Sequence, residues 1–371
     1  MDRRQSTGPA SLYTYGASCA GDFDDDGWPD LYVASLRQSR SYLFRNDGNG
    51  GFTPVTNLVT QTSAPAFQAA WGDYDNDGRL DLFVACWTGT SALYRNLGNG
   101  EFERPATAPT FTGTHNFVSW VDYDNDGFLD LWVSGYMSGN KLFRNNGDGS
   151  FTGITTGSLV NERPLNNAGT YQVAWFDYDN DGFLDAYVMN GDDNTSIWTA
   201  NQLFRNNGND NAWLTVKPIG TVSNRDAAGA KVQALATYAG RDRWQRRDIT
   251  VGCLSDGNHR YAHFGLGDAQ LVTRLRIEWP SGVVEEFANL TPEPVLHHRR
   301  TLAARCAQAQ RRVRVARLGQ HQPHLYPRAL ARPRDLDDVH HRPRPGRNPG
   351  HRQRPRRPRP EPPVLPDEMS L

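Results

Sequence analysis

The apolar positions of this chain fall into short runs that repeat. "AWGDYDNDGRLDLFVA", from Ala70, has an apolar approach, a polar loop with four aspartates, and a closing apolar run. The same order returns in "CAGDFDDDGWPDLYVA" from Cys19, "SWVDYDNDGFLDLWVS" from Ser119 and "AWFDYDNDGFLDAYVM" from Ala174. Counted on the first aspartate, the copies begin at Asp22, Asp73, Asp122 and Asp177, in steps of 51, 49 and 55 residues. Each copy then continues into a third part: "LFRNDGNGGF", "LYRNLGNGEF", "LFRNNGDGSF" or "LFRNNGNDNAW". Asn-Gly and Asp-Gly between apolar segments are hairpin signals, so each unit predicts about four short antiparallel strands. Repeated four-stranded units of ~40–50 residues read as β-propeller blades. A β-solenoid usually has shorter repeats, and no segment keeps the helical period that stacked helix pairs need. Four loops predict four adjacent blades in an open arc, with four-bladed closure as the alternative. The fourth copy carries an insert, "GDDNTSIWTA", which predicts a surface loop.

After Ala212 the repeat stops and the pattern changes. In "TRLRIEW", Leu275, Ile277 and Trp279 alternate with Arg274, Arg276 and Glu278, as in a half-buried strand. Similar runs predict a small β-sandwich. The expected organisation is all-β: blades over 1–210, a sandwich over 211–297, and a disordered Arg/Pro-rich tail over 298–371.

Charge sharpens this division. Of 40 basic and 41 acidic residues, 18 and six lie from Arg299 onward, which leaves 22 and 35 before it. The net charge of -1 therefore averages a basic tail and an acidic body whose charge gathers in the four loops. The tail holds 12 of the 23 prolines and one aromatic residue, Tyr326, too little apolar surface to offset ordering entropy. No stretch reaches the ~18 apolar residues of a membrane helix. "MDRRQSTGPASLYTYG" has no apolar core of the signal-peptide kind. Cys19, Cys86, Cys253 and Cys306 lack metal-like spacing and read as small buried residues, with disulfides as the alternative.

The acidic loops carry the chemistry. Numbered from its first aspartate, each loop has carboxylates at positions 1, 3, 5 and 9 and glycine at position 6. These are Asp22, Asp24, Asp26 and Asp30; Asp73, Asp75, Asp77 and Asp81; Asp122, Asp124, Asp126 and Asp130; and Asp177, Asp179, Asp181 and Asp185. Alternate carboxylates at 1, 3 and 5 can curl around one cation, and the glycine permits the turn. The backbone carbonyl at position 7 (Trp28, Arg79, Phe128 or Phe183) and the carboxylate at 9 complete an all-oxygen shell. Hard oxygens in a flexible loop favour Ca²⁺ over Mg²⁺, so about four Ca²⁺ sites are expected. An EF-hand needs a bidentate Glu at position 12. Here that position is Val33, Val84, Val133 or Val188, and the chain enters a strand. The aromatics Tyr32, Phe83, Trp132 and Tyr187, and the tryptophans Trp71, Trp120 and Trp175, read as blade packing. Arg45, Arg95, Arg144 and Arg205 recur in step with the loops and read as partners of carboxylates or carbonyls.

The loops with their trailing "DLFVA"-type strands resemble the FG-GAP/VCBS repeats of integrin-like β-propellers. "SNRDAAGAKVQ", "QRRDITVG", "HFGLGD" and "IEWPSG" resemble the ASPIC/UnbV domain. Together, over about 17–295, they resemble the cartilage acidic protein family and its bacterial relatives. The resemblance implies an integrin-like partial propeller and a secreted or cell-surface calcium-binding protein without catalytic activity, with a periplasmic location as the alternative. Its loop aspartates would be the ligands. The family's usual seven or so blades and its export signal are not in this sequence, so the chain reads as a fragment and the tail as an out-of-frame translation. The expected role is adhesion or interaction with a protein or glycan partner. The alternative, a propeller-based lyase or hydrolase, would need a convergent constellation. His115 stands alone, while His259 and His263 near Cys253 lack a third zinc ligand and a general base. Nucleic-acid binding through the tail would have phosphate contacts but almost no aromatics for stacking.

Overall fold

A computed structural model of the chain describes residues 16–36, 40–61, 64–136, 139–161, 169–191, 200–250 and 260–290, and the backbone of 312–319. His259, Cys253, Cys306, most of the fourth-copy insert and the rest of the tail lie outside the described residues.

The repeats fold as four antiparallel sheets. The first contains β1 (Ser18–Gly21), β2 (Asp30–Val33), β3 (Tyr42–Asn46) and β4 (Phe52–Val55). The second contains β5 (Ala66–Gly72), β6 (Asp81–Cys86), β7 (Thr90–Gly98) and β8 (Glu101–Glu103), with β9 (Phe111–Thr112) added beside β7. The third contains β10 (His115–Val121), β11 (Asp130–Gly135), β12 (Lys141–Asn145) and β13 (Phe151–Ile154). The fourth has three strands among the described residues: β14 (Gly169–Phe176), β15 (Asp185–Gly191) and β16 (Gln202–Phe204). Each acidic loop closes the hairpin between the first two strands of its sheet. The register pairs Gly21 with Asp30, Gly72 with Asp81, Val121 with Asp130 and Phe176 with Asp185. Positions 1–8 thus form the loop, and position 9 is the first residue of the returning strand.

The sheets are blades of a partial β-propeller. Inner strand β1 packs beside β5, β5 beside β10, and β10 beside β14. Trp71 stacks on Phe23 of the preceding blade, with ring centroids 6.2 Å apart, and Trp120 stacks on Tyr74 in the same way. Trp175 donates its indole N–H to Ser119 at 2.9 Å. Tyr32, Phe83 and Trp132 are fully buried, which bears out their reading as packing residues. The fourth blade differs. Tyr187, at the same repeat position, is 36 % exposed, and Leu203 is 48 % exposed where Leu43, Leu93 and Leu142 are buried. Among the described residues no blade covers this face and no strand pairing joins the first sheet to the fourth, as in an open arc. Cys19 and Cys86 are buried in the core shared by blades one and two, outside any disulfide.

Beyond the blades, β17 (Ala212–Ile219), β18 (Lys231–Tyr238), β19 (Arg241–Asp248), β20 (Ala262–Gly267), β21 (Val272–Glu278) and β22 (Val284–Leu290) form a two-sheet sandwich. Its core joins Leu214, Val216, Phe264 and Leu266 to Val232, Ala234, Leu275 and Ile277. The tail expected to be disordered from 298 includes one described segment. β23 (Arg312–Gly319) pairs antiparallel with β17 and extends that sheet. The physical reason lies in "RVRV", which has a strand's alternation inside a segment whose overall composition is that of a disordered chain.

Candidate metal centre

Each acidic loop is shaped by hydrogen bonds from its own backbone. The position-1 carboxylate accepts the position-6 N–H, at 2.9 Å for Asp22 and Gly27 and 3.1 Å in the other three loops. Position 3 accepts the N–H of position 5, and position 5 accepts the N–H of position 7, as in Trp28 to Asp26 at 2.8 Å and Phe128 to Asp126 at 3.0 Å. Position 4 sits in the left-handed region in all four copies, at φ between 56° and 63° for Asp25, Asn76, Asn125 and Asn180. Asn and Asp tolerate that conformation best among non-glycine residues.

Position 9 does the most structural work. Asp30, Asp81, Asp130 and Asp185 are fully buried. One oxygen of each accepts the position-2 N–H, and the other accepts a backbone N–H from the third strand or just after it. For Asp130 these are Tyr123 at 3.1 Å and Asn145 at 2.8 Å. Each carboxylate therefore ties its loop to the third strand of its blade and still has lone pairs to offer an ion.

The structure brings positions 1, 3 and 9 together in every loop. Asp22, Asp24 and Asp30; Asp73, Asp75 and Asp81; Asp122, Asp124 and Asp130; and Asp177, Asp179 and Asp185 each present oxygens within 4.8 Å of one another. Oxygens that share a Ca²⁺ at about 2.3–2.6 Å can be at most about 5 Å apart, so the spacing fits. Asp22 Oδ1 and Asp122 Oδ1 are buried without a hydrogen-bond partner, which a cation would supply. Burial followed by mutual repulsion holds the carboxyls high: Asp73 is pushed up to about 7, and Asp122 and Asp130 well above the usual carboxylate range. Burial likewise lifts Asp30 and Asp185 to about 7. Groups held this way take up either protons or a metal ion.

Position 5 stands beside this triplet. Asp77, Asp126 and Asp181 share an arginine with the position-3 aspartate. Arg95 reaches Asp75 at 2.7 Å, Arg144 reaches Asp124 at 2.6 Å and Asp126 at 2.8 Å, and Arg205 reaches Asp179 at 2.7 Å. Arg45 of the first repeat turns instead to Asp47, at 3.6 Å. At position 7 the side chains diverge: Trp28 is exposed, Arg79 pairs with Asp77, Phe128 lies against Tyr238, and Phe183 is buried.

One recurrent residue escaped the reading of the sequence. The asparagine of "FRN" or "YRN" donates through Nδ2 to the position-8 carbonyl of its own loop and to the position-2 carbonyl of the preceding blade. Asn96 bonds Phe23, Asn145 bonds Tyr74 and Asn206 bonds Tyr123, at 2.7–2.8 Å. Its fourfold recurrence was the available signal.

Comparison with known proteins agrees with this arrangement. The FG-GAP-like repeat family matches residues 22–84, 73–133 and 122–188, each match running from position 1 of one loop to the strand behind the next. ASPIC and UnbV matches residues 220–301. The chain belongs to the FG-GAP-like repeat proteins with an ASPIC and UnbV domain. This FG-GAP protein is 28 % identical over 259 residues to cartilage acidic protein 1 of Mus musculus, a stretch covering 65 % of the chain and 38 % of that relative. The chain thus spans well under half the length of that relative. Among solved structures it is similar to an Agrocybe aegerita lectin described as recognising non-reducing terminal N-acetylglucosamine, at 17 % identity over 50 % of each chain and a TM-score of 0.32.

The ASPIC and UnbV domain of this FG-GAP protein sits on the loops. The Gly265 N–H donates to Asp122 Oδ2 at 3.0 Å, and the Gly267 N–H to the Asn125 carbonyl at 2.8 Å. A Cβ at Gly265 would lie 2.2 Å from Asp122 Oδ2, so glycine is required there. His263 bridges Asn125 at 2.8 Å and Thr215 at 3.0 Å. The "HFGLG" segment is thus a docking element, as is "QRRD", whose Arg246 donates to the Gly78 carbonyl at 2.9 Å.

Proposed function

We propose that this chain is a non-catalytic, extracellular calcium-binding repeat protein that presents its blades and loops to a protein or glycan partner. The carrying observation is the fourfold convergence of position 1, 3 and 9 carboxylates, with a buried unpartnered oxygen in the first and third loops. Asp22, Asp24 and Asp30 and their counterparts would hold the ion, with the position-5 aspartates and the carbonyls of Trp28, Arg79, Phe128 and Phe183 completing the shell. Bound Ca²⁺ would neutralise the repulsion that lifts these carboxyls and tie each loop to the strand behind it. Similarity to cartilage acidic protein 1 supports the extracellular setting. No helix among the described residues is long and apolar enough to cross a membrane.

The described histidines support a non-catalytic reading. His263 has both ring nitrogens engaged, and His115 is buried against Phe111, where burial lowers its pKa to about 4. Metal analysis after dialysis against millimolar Ca²⁺ tests the reading. About four Ca²⁺ per chain are expected, one for each triplet. Fewer than two would contradict it.

A further inference from the structure

The first loop is held differently from the other three. In loops two and three the position-4 asparagine reaches the next loop: Asn76 donates to the Gly127 carbonyl at 2.9 Å, and Asn125 to the Gly182 carbonyl at 3.1 Å. Position 4 of the first loop is Asp25, which has no donor to offer Gly78. Arg246, on β19, fills the gap: its NH1 group donates to Asp25 Oδ1 at 2.8 Å and to the Gly78 carbonyl at 2.9 Å. Beside it, Lys231 Nζ lies 2.8 Å from Asp22 Oδ2 and 2.6 Å from Asp25 Oδ1. The matching oxygen of the third loop, Asp122 Oδ2, is bonded by the neutral Gly265 N–H at 3.0 Å, and Arg247 of the same domain stands off at 4.0 Å.

Both cations are fixed in place. The Arg246 side chain is 2 % exposed and that of Lys231 11 %. Arg246 is further held by Asp248, at 2.8 and 2.9 Å. Neither charge swings away into water without undoing the contact between sandwich and blades. A fixed ammonium beside a ligand carboxylate repels a divalent ion through a poorly screened path. In loops two to four the cation hydrogen-bonded to the triplet is instead an arginine from the same blade, on the position-3 and position-5 aspartates.

We propose that the ASPIC and UnbV domain supplies the first loop with a tethered cation, Lys231, so that this loop is the weak Ca²⁺ site of the four and its occupancy opposes the docking of that domain. The inference rests on the calcium reading of the loops. The family match assigns no such role to Lys231, and among the described residues no cation of that domain comes closer than 4.0 Å to a triplet carboxylate of the other three loops.

The test uses the full chain and Tb³⁺ as a luminescent Ca²⁺ substitute. Trp28 is the only tryptophan at position 7 of an acidic loop, so the signal lost in Trp28→Phe reports the first loop. That signal should saturate at a Tb³⁺ concentration at least ten-fold higher than the remaining sites require. Lys231→Met should tighten it at least ten-fold and move the other sites less than two-fold. Lys231→Arg, which keeps the charge, should leave it weak. Four equivalent sites in the unmodified chain would overturn the proposal, as would a Lys231→Met midpoint that is unchanged or weaker while the other loops still bind. Absence of binding at every loop would instead sink the calcium reading itself.

Discussion

Replacing Asn145 with alanine removes the side chain that joins the second and third blades. Asn145 is buried, and its side chain makes three hydrogen bonds. Nδ2 donates to the Tyr74 carbonyl at 2.8 Å and to Leu129 at 3.0 Å, and Oδ1 accepts the Gly147 N–H at 3.0 Å. Its backbone N–H bond to Asp130 survives the change. A net hydrogen bond is worth roughly 1 kcal/mol, and partners left buried and unsatisfied raise the cost, so Asn145→Ala should lose about 3 kcal/mol. Asn46 occupies the same place in the first blade, and its side chain bonds Pro29 and Gly48 of its own blade. Asn46→Ala should therefore cost about 1 kcal/mol or less. Urea unfolding at one fixed Ca²⁺ concentration measures both. Equal losses for the two variants, or a loss under about 1 kcal/mol for Asn145→Ala, would refute the role of this asparagine as an inter-blade tie.

Three further outcomes follow from the same contacts. Asp126→Ala should destabilise more than Asp26→Ala in thermal melts, because Asp126 anchors Arg144 at 2.8 Å within a loop flanked by blades on both sides; equal melting temperatures would count against this. Burial raises Asp30, Asp73 and Asp185 to about 7, against an unfolded value near 3.9. The folded chain then holds extra protons between those values, so in chelator its stability falls as pH rises from about 4 towards 8. Urea midpoints in EDTA at pH 5 and pH 8 check this, and equal midpoints would contradict it. The uncovered face of the fourth blade, with Phe176, Tyr187, Met189 and Leu203 exposed, should associate with a second copy of the chain. Sedimentation should show Tyr187→Lys with Leu203→Lys as monomer where the unmodified chain is larger; a monomeric unmodified chain at tens of micromolar would end the idea.

Much of this architecture was legible because repetition multiplies weak signals. One acidic turn says little, but Asp122, Asp124, Gly127 and Asp130 recurring in register with Trp120 and Trp132 fix both loop and strand. Contacts that happen once were not legible. Lys231 lies about two hundred residues from Asp22 in sequence, and nothing in "GAKVQ" says which carboxylate it meets. The position-5 aspartates were read as equal ligands, yet the structure sets their carboxylates beside the triplet, bonded to position 7 and, in loops two to four, near the arginine. Composition averaged over the tail also hid β23, whose "RVRV" has a strand's alternation.

Calcium dependence of stability tests the central claim most directly. At roughly 1 mM Ca²⁺ and a Kd of about 0.1 mM, each occupied loop adds about 1.4 kcal/mol, and four independent loops about 6 kcal/mol. That is comparable to the whole stability of many domains. Thermal melts of the full chain in millimolar Ca²⁺ and in excess chelator, with the bound metal counted calorimetrically, should show a large fall in melting temperature and the loss of about four ions. A melting temperature unchanged by chelator would mean that the acidic loops hold themselves together without a metal.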